Sequence, residues 1–341
     1  MSNSLSNKKK RFQDSPRTSH ARNQTEAPET NLDANLEIGA RADAPDATQA
    51  PYHTTVLLHE AVTYLNVRPH EVYIDATFGG GGHSRAILEA EPTCRVIGCD
   101  WDMHAIDLNA PALKEAFPDR FDTIWGNFSQ LPALLKKKEI THVAGILADF
   151  GTSRFQIATQ AGFSLYKDTP LDMRMSPGHF RVTAADIVNN APESELADLL
   201  YAFGEEFRAR RIARAIVEYR RKKKITTTLQ LADIVKQAVS KQPGQRIHQA
   251  TKVFQALRIA VNHELDNITS FLTNIPTLLK PEGRVVCISF HSLEDRPVKL
   301  FIREHKEILK NLTSHVVVPT EAEITANPAS RSARLRAAER L

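Results

Sequence analysis

The chain has 341 residues, 42% of them hydrophobic, and a formal net charge of +4 at pH 7 with a pI near 8.9. This length allows two domains or one domain with a large insertion, and the mildly basic charge permits a nucleic-acid partner without requiring one. No run of 18 apolar residues is present, and three cysteines without CxxC spacing suit a reducing compartment, so neither a membrane span nor a metal site is expected.

The first 50 residues differ in composition from the rest of the chain. They are rich in Ser, Asn, Asp and Ala, and no apolar region follows the basic start, so they do not resemble a signal peptide. Because such a segment buries too little apolar surface to offset its ordering entropy, residues 1–50 are predicted to be a disordered tail. The three cysteines without a pairing pattern suit a reducing cytoplasm, so a cytoplasmic protein is predicted.

From residue 52 onward, short apolar runs alternate with helical patterns, which is typical of βαβ units and a mostly parallel α/β sheet. The turn signal Pro281-Glu282-Gly283 introduces a later strand, and 315–320 is a candidate for a further one. The predicted strands are 72–78, 95–100, 121–127, 143–149 and 284–290, and the predicted helices between them are about 82–90, 103–116 and 129–138.

After residue 150 the alternation stops. Residues 184–240 read as helices with a break at 189–192, and 254–272 reads as one amphipathic helix. We therefore expect an inserted helical domain at 156–250 that divides the α/β domain into two parts, 51–155 and 251–341.

The strand at 72–78 ends in four consecutive glycines, Gly79–Gly82, which open a predicted helix. Glycine allows a tight turn and the close approach of a ligand to the backbone, so this is a nucleotide-binding geometry. Asp100 ends the next strand about 20 residues later, where an acid can hold ribose hydroxyls. Asp75 is a second acid beside the loop, and a glycine turn without any ligand is the less favoured alternative.

The loop does not match the dinucleotide fingerprint GxGxxG. Ser84 stands at the sixth position counted from Gly79, and Arg85 stands there when the count starts at Gly80. A ligand without a pyrophosphate, such as S-adenosylmethionine, fits this loop better than a nicotinamide dinucleotide.

Asp149 ends the fourth predicted strand, at the sheet edge where open parallel sheets bind their ligands. It could accept a hydrogen bond from an exocyclic amine and so aim its lone pair at a methyl group. It could instead contact the methionine part of the cofactor, or cap the turn before Gly151. Asp149 is therefore the candidate catalytic residue, with these alternatives open.

Seven segments resemble, in order and spacing, the MraW family of 16S ribosomal RNA cytosine-N4 methyltransferases, and the resemblance covers about 53–341. The segments are HTTVLLHEAV (53–62), YIDATFGGGGHS (73–84), GFSLYKDTPLDMRM (162–175), EEFRARRIARAIVEYR (205–220), TKVFQALRIAVNHELDNI (251–268), ISFHSLEDRPVK (288–299) and NPASRSARLRAAER (327–340).

The resemblance implies a class I (Rossmann-like) S-adenosylmethionine-dependent methyltransferase fold with an inserted helical substrate-recognition domain. It implies methyl transfer to N4 of a cytidine in the decoding region of 16S ribosomal RNA, and so the small ribosomal subunit as partner. The cofactor-binding residues that it implies are Gly81, Gly82, His83, Asp100, Phe128, Asp149 and Gln156.

The chain departs from the family pattern at two places near this site. Arg154 and Phe155 replace a Ser-Pro pair, which bears directly on Gln156, and Trp101 follows the ribose acid where the family commonly has a charged residue.

Three polar residues are candidates for substrate binding. Asp172 and Arg174 flank Met173 and either line the target-base pocket or form an ion pair that fixes their loop. His291 could contact RNA, whereas Ser292 and Asp295 near it have the spacing of a helix capping box.

The stretch 205–224 is rich in Arg and Lys and is predicted to bind RNA phosphates, and 330–340 is a weaker case. We expect a partly assembled small subunit to be the substrate. A non-catalytic RNA-binding assembly factor and a nicotinamide-dependent oxidoreductase are the alternative functions, and the oligomeric state is left open.

Overall fold

The computed structural model describes residues 55–151, 160–240 and 248–341. The predicted tail at 1–50, the predicted cofactor contact Gln156, and Arg154 and Phe155 lie outside the described residues. Within the described ranges, no helix has the length and apolar character needed to cross a membrane.

A seven-stranded sheet forms the centre of the fold, in the spatial order β3-β2-β1-β4-β5-β7-β6. Neighbours among β1–β5 run parallel, and β7 is antiparallel to both β5 and β6. This confirms the predicted α/β class with a mostly parallel sheet. The strands are β1 (Val72–Asp75), β2 (Arg95–Asp100), β3 (Phe121–Trp125), β4 (Val143–Asp149), β5 (Leu279–Ser289), β6 (Leu309–Asn311) and β7 (Arg334–Arg340).

The strand order reverses between β1 and β4. In open parallel sheets, ligands bind in the crevice beyond the carboxyl ends of the strands at such a switch point. The structure therefore places the ends of β1, β2 and β4 around one crevice.

Short helical segments accompany the first half of the sheet, and two of them begin with a side-chain cap. Asp102 accepts a hydrogen bond from the backbone of His104, and Asn127 accepts one from Ser129 at a 3-10 turn, Phe128–Gln130. The predicted helix at 129–138 is this turn followed by a shorter helix. The helices are α1 (Leu58–Leu65), α2 (Gly82–Ala90), α3 (Met103–Ala116) and α4 (Leu131–Lys136).

Both faces of the sheet are covered, so strand residues alternate between two hydrophobic clusters. In β1, the fully buried Tyr73 packs with α1 and α2 on one face, and its neighbour Ile74 packs on the other. The second face is closed by Ile268, Phe271 and Ile275 of a helix that precedes β5.

A third hydrophobic cluster lies in the helical segment between β4 and β5. Its helices are α5 (Ala184–Asn190), α6 (Glu193–Gly204), α7 (Ala209–Arg220), α8 (Thr228–Ala238) and α9 (Thr251–Asn262). Because α9 contributes Phe254 and Leu257 to this cluster, it packs with the helices that precede it in sequence. The bounds 156–250 for an inserted domain stay a prediction.

The single helix predicted at 254–272 is wrong. The chain forms two helices there, α9 and α10 (Glu264–Leu278), because His263 takes a left-handed conformation with φ 50° and ends the first. Amphipathic spacing continues through the break, so periodicity alone did not reveal it.

The carboxyl-terminal region also differs from the prediction. Residues 315–320 form no strand; Val317 makes only an isolated bridge to Leu335 of β7. The turn signal at Pro281 lies inside β5, where Glu282 has φ 62° and the register to β4 shifts. Two more helices complete the region, α11 (Ser292–Glu304) and α12 (Glu321–Ala326).

The backbone packs closely around Gly162 in the loop that follows β4. Its φ is +99°, and a Cβ at this position would lie 2.5 Å from the backbone nitrogen of Met173 and 2.7 Å from that of Asp172. Backbone cannot move aside as a flexible side chain can. We expect Gly162→Ala to lower the free energy of unfolding by about 2–4 kcal/mol in a denaturant titration.

Gly178→Ala is the matched control, because a Cβ there would only touch Trp125 at 4.0 Å. It should change stability by less than about 1 kcal/mol. Equal stability of the two variants would contradict the close packing described for Gly162.

Candidate functional site

Three aspartates end the three strands around the switch point: Asp75 on β1, Asp100 on β2 and Asp149 on β4. Asp75 is fully buried and the other two are half-buried. Among the described residues, no Lys, Arg or His lies within ion-pair distance of any of them. The crevice is thus lined with carboxylates that the described chain does not neutralise.

The glycine loop follows β1 and is shaped partly by contacts inside the protein. Gly81 has φ +75°, and a Cβ on it would lie 2.9 Å from the ring of Phe78. A Cβ on Gly82 would fall 1.8 Å from Thr55 Oγ1. The segment before α1 therefore needs part of the space that was predicted for a ligand.

His83, predicted in the cofactor-binding set, is buried. Its Nε2 lies 3.2 Å from the carbonyl oxygen of Val56, so the ring helps to hold the segment before α1 against the loop. The backbone N–H groups of Gly82 and His83 lie in the first turn of α2, where helical N–H groups have no intrahelical acceptor. These backbone N–H groups, and not the His83 ring, are therefore the groups that could contact an anion.

Asp75 is tied to the start of α2. Its Oδ2 accepts a 2.7 Å hydrogen bond from the hydroxyl of Ser84, and its Oδ1 accepts a 3.3 Å bond from the backbone of Thr77. Burial raises the pKa of Asp75 to about 6, although these hydrogen bonds oppose the shift. Ser84, which breaks the dinucleotide fingerprint, therefore has a structural partner that the sequence pattern did not reveal.

Asp100 holds the glycine loop as well as ending β2. Its Oδ2 accepts from the backbone of Gly79 at 2.8 Å, and its Oδ1 accepts from the backbone of Asp102 at 2.8 Å. Burial raises the pKa of Asp100 to about 7, against the effect of these two hydrogen bonds, and the negative charges of Asp102 and Asp75 add to the increase. A ribose contact by Asp100 stays a prediction.

Asp149 has an unsatisfied acceptor. Its backbone N–H donates to Thr77 Oγ1 at 2.6 Å, whereas its Oδ1 is buried and no hydrogen-bond donor of the described residues reaches it. Burial raises the pKa of Asp149 well above its ordinary value, and the negative charges of Asp75 and Glu294 add to this. A buried, unpaired carboxylate oxygen is costly, so this atom favours a ligand that brings a donor or a cation.

Aromatic rings form one wall of the crevice. Phe128, in the turn after β3, packs against Trp101 at 6.2 Å, Phe150 at 5.8 Å and Phe271 at 5.6 Å between ring centroids. Trp101 in turn meets Phe180 edge-on at 5.4 Å. The residue that departs from the family pattern after Asp100 thus packs into this wall, and a flat ring could bind beside it.

The side chains of Asp172 and Arg174 form an ion pair. This was one of two predicted roles, the other being to line the target-base pocket. Arg174 Nε lies 2.7 Å from Asp172 Oδ1, and its second nitrogen lies 2.8 Å from Oδ2. Burial raises the pKa of Asp172, but the hydrogen bonds and charge of Arg174 outweigh it, and the pKa is lowered. The pair stabilises the loop; a contact to substrate by either residue stays a prediction.

A residue that the sequence analysis missed fixes the same loop. Asn262, at the end of α9, is fully buried; it accepts from the backbone of Met175 at 2.8 Å and donates to the carbonyl of Met173 at 2.8 Å. Met173 has φ 65° between these bonds. An asparagine in a helix gave no signal of this role, because its partners lie more than 80 residues away in sequence.

His291 lies in a buried ionic network at the start of α11. Its Nε2 is 3.1 Å from Glu294 Oε1 and 3.4 Å from Arg258, and Arg258 pairs with both oxygens of Glu264. Burial raises the pKa of Glu294, but the charge and hydrogen bond of His291 outweigh it and the pKa is lowered. His291 is buried in this network, and its contact with RNA stays a prediction.

The same network is the one group of His, Cys, Asp and Glu side chains in the described part of the chain with the closeness of metal ligands. Ligand atoms of Glu264, His291 and Glu294 lie within 4.8 Å of one another. The Arg258 guanidinium already binds both oxygens of Glu264, so this carboxylate has a cationic side-chain partner.

The predicted capping box of Ser292 and Asp295 is wrong. His291 is the residue before α11 and makes no side-chain cap; instead Glu294 Oε2 accepts from the backbone of Phe290 at 2.8 Å. Asp295 pairs with Arg336 of β7, at 2.6 Å from its Nε. The arginine pattern at 330–340 therefore includes a residue that holds β7 against α11, not only surface charge.

The basic stretch at 205–224 also contains two kinds of arginine, those that bind other parts of the protein and those that are exposed. Arg220 donates to the carbonyls of Val188 and Ala191 at 2.7 Å and so holds α7 to the end of α5. Arg208 pairs with Glu206 at 3.1 Å within the connection between α6 and α7. Arg210 and Arg211 are exposed, and no carboxylate of the described ranges lies within ion-pair distance of them.

The residues around the crevice fit S-adenosylmethionine in chemical character. The orphaned Asp149 oxygen and the unneutralised carboxylates suit a cationic ligand with hydroxyl and amino donors. The first-turn N–H groups of α2 suit its carboxylate, and the aromatic wall suits its adenine.

Comparison with known proteins gives one consistent result. The family model described as "MraW methylase family" matches residues 50–341. A curated protein of Sulfurihydrogenibium azorense, "Ribosomal RNA small subunit methyltransferase H", is 44% identical over 292 residues, which are 85% of this chain and 99% of that protein. Proteins of the same name from Carboxydothermus hydrogenoformans and Syntrophobacter fumaroxidans are 44% and 45% identical and are covered over 98% and 96% of their lengths.

The raised pKa of Asp75 predicts a pH dependence of stability in the ligand-free protein. Between about pH 4 and pH 6 the unfolded chain loses the Asp75 proton and the folded chain retains it, so stability falls as pH rises through this window. Asp75→Asn removes this contribution. We expect the variant's free energy of unfolding, relative to wild type, to rise by up to about 3 kcal/mol across this range.

Asp122→Asn is the control, because Asp122 is half-buried and the effect of burial on its pKa is outweighed by the hydrogen bond and charge of Lys138, which lower it. That variant should show a smaller trend of the opposite sign in the same urea titrations. A wild type and an Asp75→Asn variant with parallel pH profiles would show that Asp75 is not protonated in the folded state.

Proposed function

The chain belongs to the MraW methylase family, and from this premise we propose that it transfers the methyl group of S-adenosylmethionine to N4 of a cytidine in the decoding region of 16S ribosomal RNA. The observation that carries the proposal is Asp149 Oδ1, a buried acceptor without a described donor at the switch point of the sheet. The N–H of a cytosine amine is the kind of donor that would satisfy it.

The proposed cofactor seat combines backbone and side-chain groups. The N–H groups of Gly82 and His83, next to Gly81, would bind the methionine carboxylate, and Asp100 would bind the ribose hydroxyls. Phe128 would lie beside the adenine. Gln156, outside the described residues, stays in the proposed set on the family resemblance alone.

When bound, S-adenosylmethionine supplies an electrophilic methyl group for an in-line displacement. Asp149 would accept the amine N–H and hold the N4 lone pair toward that methyl group. As the new N–C bond forms and the C–S bond breaks, N4 must lose a proton. A carboxylate with a raised pKa is a suitable acceptor for it, or it passes to water.

We propose a partly assembled small subunit in the cytoplasm as the substrate. A net charge of +4 is modest for a protein that grips a long free transcript. Since the target base must leave its stack to reach the crevice, its accessibility would set selectivity. Methylation of protein-free 16S RNA at the same rate as of subunits would contradict this choice.

Two alternatives are disfavoured on specific grounds. A nicotinamide-dependent oxidoreductase conflicts with membership of a methylase family and with Ser84, which is bound to Asp75 where the fingerprint needs a small helix-packing residue. A non-catalytic assembly factor leaves the buried Asp149 oxygen without a purpose.

The test is nucleoside mass spectrometry of small-subunit RNA, isolated from a strain lacking the protein and incubated with protein and S-adenosylmethionine. We expect N4-methylcytidine, and Asp149→Ala should lower its turnover by about 100-fold or more with little change in RNA affinity. Equal losses of turnover and RNA binding would contradict the role of Asp149. Cofactor binding without any methyl transfer would favour the assembly factor.

Asp100→Ala tests the cofactor seat separately. It should weaken S-adenosylmethionine binding by about 10-fold or more, because hydrogen bonds to a charged group are lost and the Gly79 loop loses its acceptor. Isothermal calorimetry measures this directly, and Asp107→Ala on the exposed side of α3 is the matched control. An unchanged dissociation constant would refute the ribose role.

A further inference from the structure

Phe207 is the most exposed large hydrophobic side chain among the described residues, with 83% of its surface open to solvent. It lies in the short connection between α6 and α7, beside Tyr201 of α6, which is 58% exposed. The two ring centroids are 6.2 Å apart at 70°. Two aromatic rings exposed side by side have an unfavourable contact with water that a bound partner would relieve.

The connection that carries Phe207 is held from both sides. Glu206 is buried, and its Oε1 accepts from the backbone of Arg208 at 2.9 Å. Lys252 Nζ donates to the carbonyl of Glu205 at 3.0 Å, and a Cβ on Gly204 would lie 2.4 Å from the carbonyl oxygen of Lys252. The ring is thus presented by a fixed backbone, so ordering it on binding costs little.

One cation lies beside the Phe207 ring, and two more follow closely in the chain. Lys252 Nζ lies 5.7 Å from the centroid of Phe207, and Arg210 and Arg211 follow within four residues, both exposed. We call the set Tyr201, Phe207, Lys252, Arg210 and Arg211 the Phe207 platform. Aromatic rings beside uncompensated cations match the chemistry of an unpaired nucleic-acid strand, whose bases stack while its phosphates bind charge.

The platform is linked to the candidate site by a short chain of contacts. Glu205 lies 3.6 Å from Arg296 of α11, and its carboxylate accepts from Ser292 at 3.4 Å. Ser292 opens α11 two residues after Phe290, whose ring would be 3.2 Å from a Cβ on Gly151, two residues beyond Asp149. A strand bound at the platform can therefore continue toward the crevice.

We propose that the Phe207 platform stacks an unpaired nucleotide of the substrate RNA near the target base. This proposal rests on the proposed function for the identity of the RNA. A protein partner is the competing occupant, but two rings flanked by three cations suit a polyanion better than an apolar surface.

The first experiment compares Phe207→Ala and Phe207→Trp in the full chain. Since base stacking on an aromatic ring is strong and tolerant of ring type, the KM for small subunits should rise about 5- to 100-fold in Phe207→Ala and stay within about threefold in Phe207→Trp. The kcat and the dissociation constant of S-adenosylmethionine should stay within about twofold. Val318→Ala, another exposed apolar residue, is the matched control.

The second experiment measures fluorescence anisotropy of labelled RNA of about 12 nucleotides, single-stranded or as a duplex, and needs no methyl transfer. Wild type should prefer the single strand, and Phe207→Ala should lose most of that preference. The Arg210→Ala/Arg211→Ala double variant should reduce the slope of log affinity against log salt by about 1–2, whereas Phe207→Ala should leave the slope unchanged.

The outcomes separate the platform from the proposed function. An active wild type with an unchanged KM in Phe207→Ala would overturn the platform alone. A raised KM for subunits with unchanged single-strand affinity would also overturn it, because the partner would then be a ribosomal protein. A wild type that makes no methylcytidine would refute the proposed function, and the anisotropy result would still decide whether Phe207 binds unpaired RNA.

Discussion

The burial of three carboxylates at the switch point of the sheet is the constraint on which the rest of the site depends. Taking a carboxylate out of water is costly unless a cation or several donors replace the solvent. Asp75 and Asp100 receive backbone and hydroxyl donors and thereby shape the glycine loop. Asp149 keeps one oxygen without a described partner. The protein accepts this cost where a positively charged methyl donor would bind.

The substrate side is fixed to the same crevice by a second set of buried polar groups. Asn262 binds the loop around Met173, and Arg258 joins Glu264 to His291 at the start of α11. Breaking such a network leaves unpaired buried charges, so its members act together. These contacts connect the helical cluster to the sheet edge, whereas Phe207, Arg210 and Arg211 are exposed on the outer surface.

Much of this arrangement follows from the sequence, and the exceptions have physical reasons. The strands that carry Asp75, Asp100 and Asp149 were predictable because apolar runs followed by turn signals are typical of strands, although β1 ends at Asp75 and not at residue 78 as predicted. The break at His263 was not predictable, because a left-handed residue leaves amphipathic spacing intact. The strand at 334–340 was not predictable either, because its half-buried arginines look like surface charge in the sequence. The role of Asn262 depends on contacts distant in sequence, which no local pattern carries.

The central claim is that a cationic cofactor compensates the buried carboxylates. The most direct measurement is calorimetry of S-adenosylmethionine and S-adenosylhomocysteine binding near pH 6.5, in two buffers that differ in ionisation enthalpy. Because the pKa values of Asp75 and Asp100 are raised to about 6 and about 7 in the ligand-free protein, binding of the sulfonium should release protons. The account predicts that the protein releases more protons on binding S-adenosylmethionine than on binding S-adenosylhomocysteine, whose sulfur is uncharged. Equal release, or none with either ligand, would contradict it.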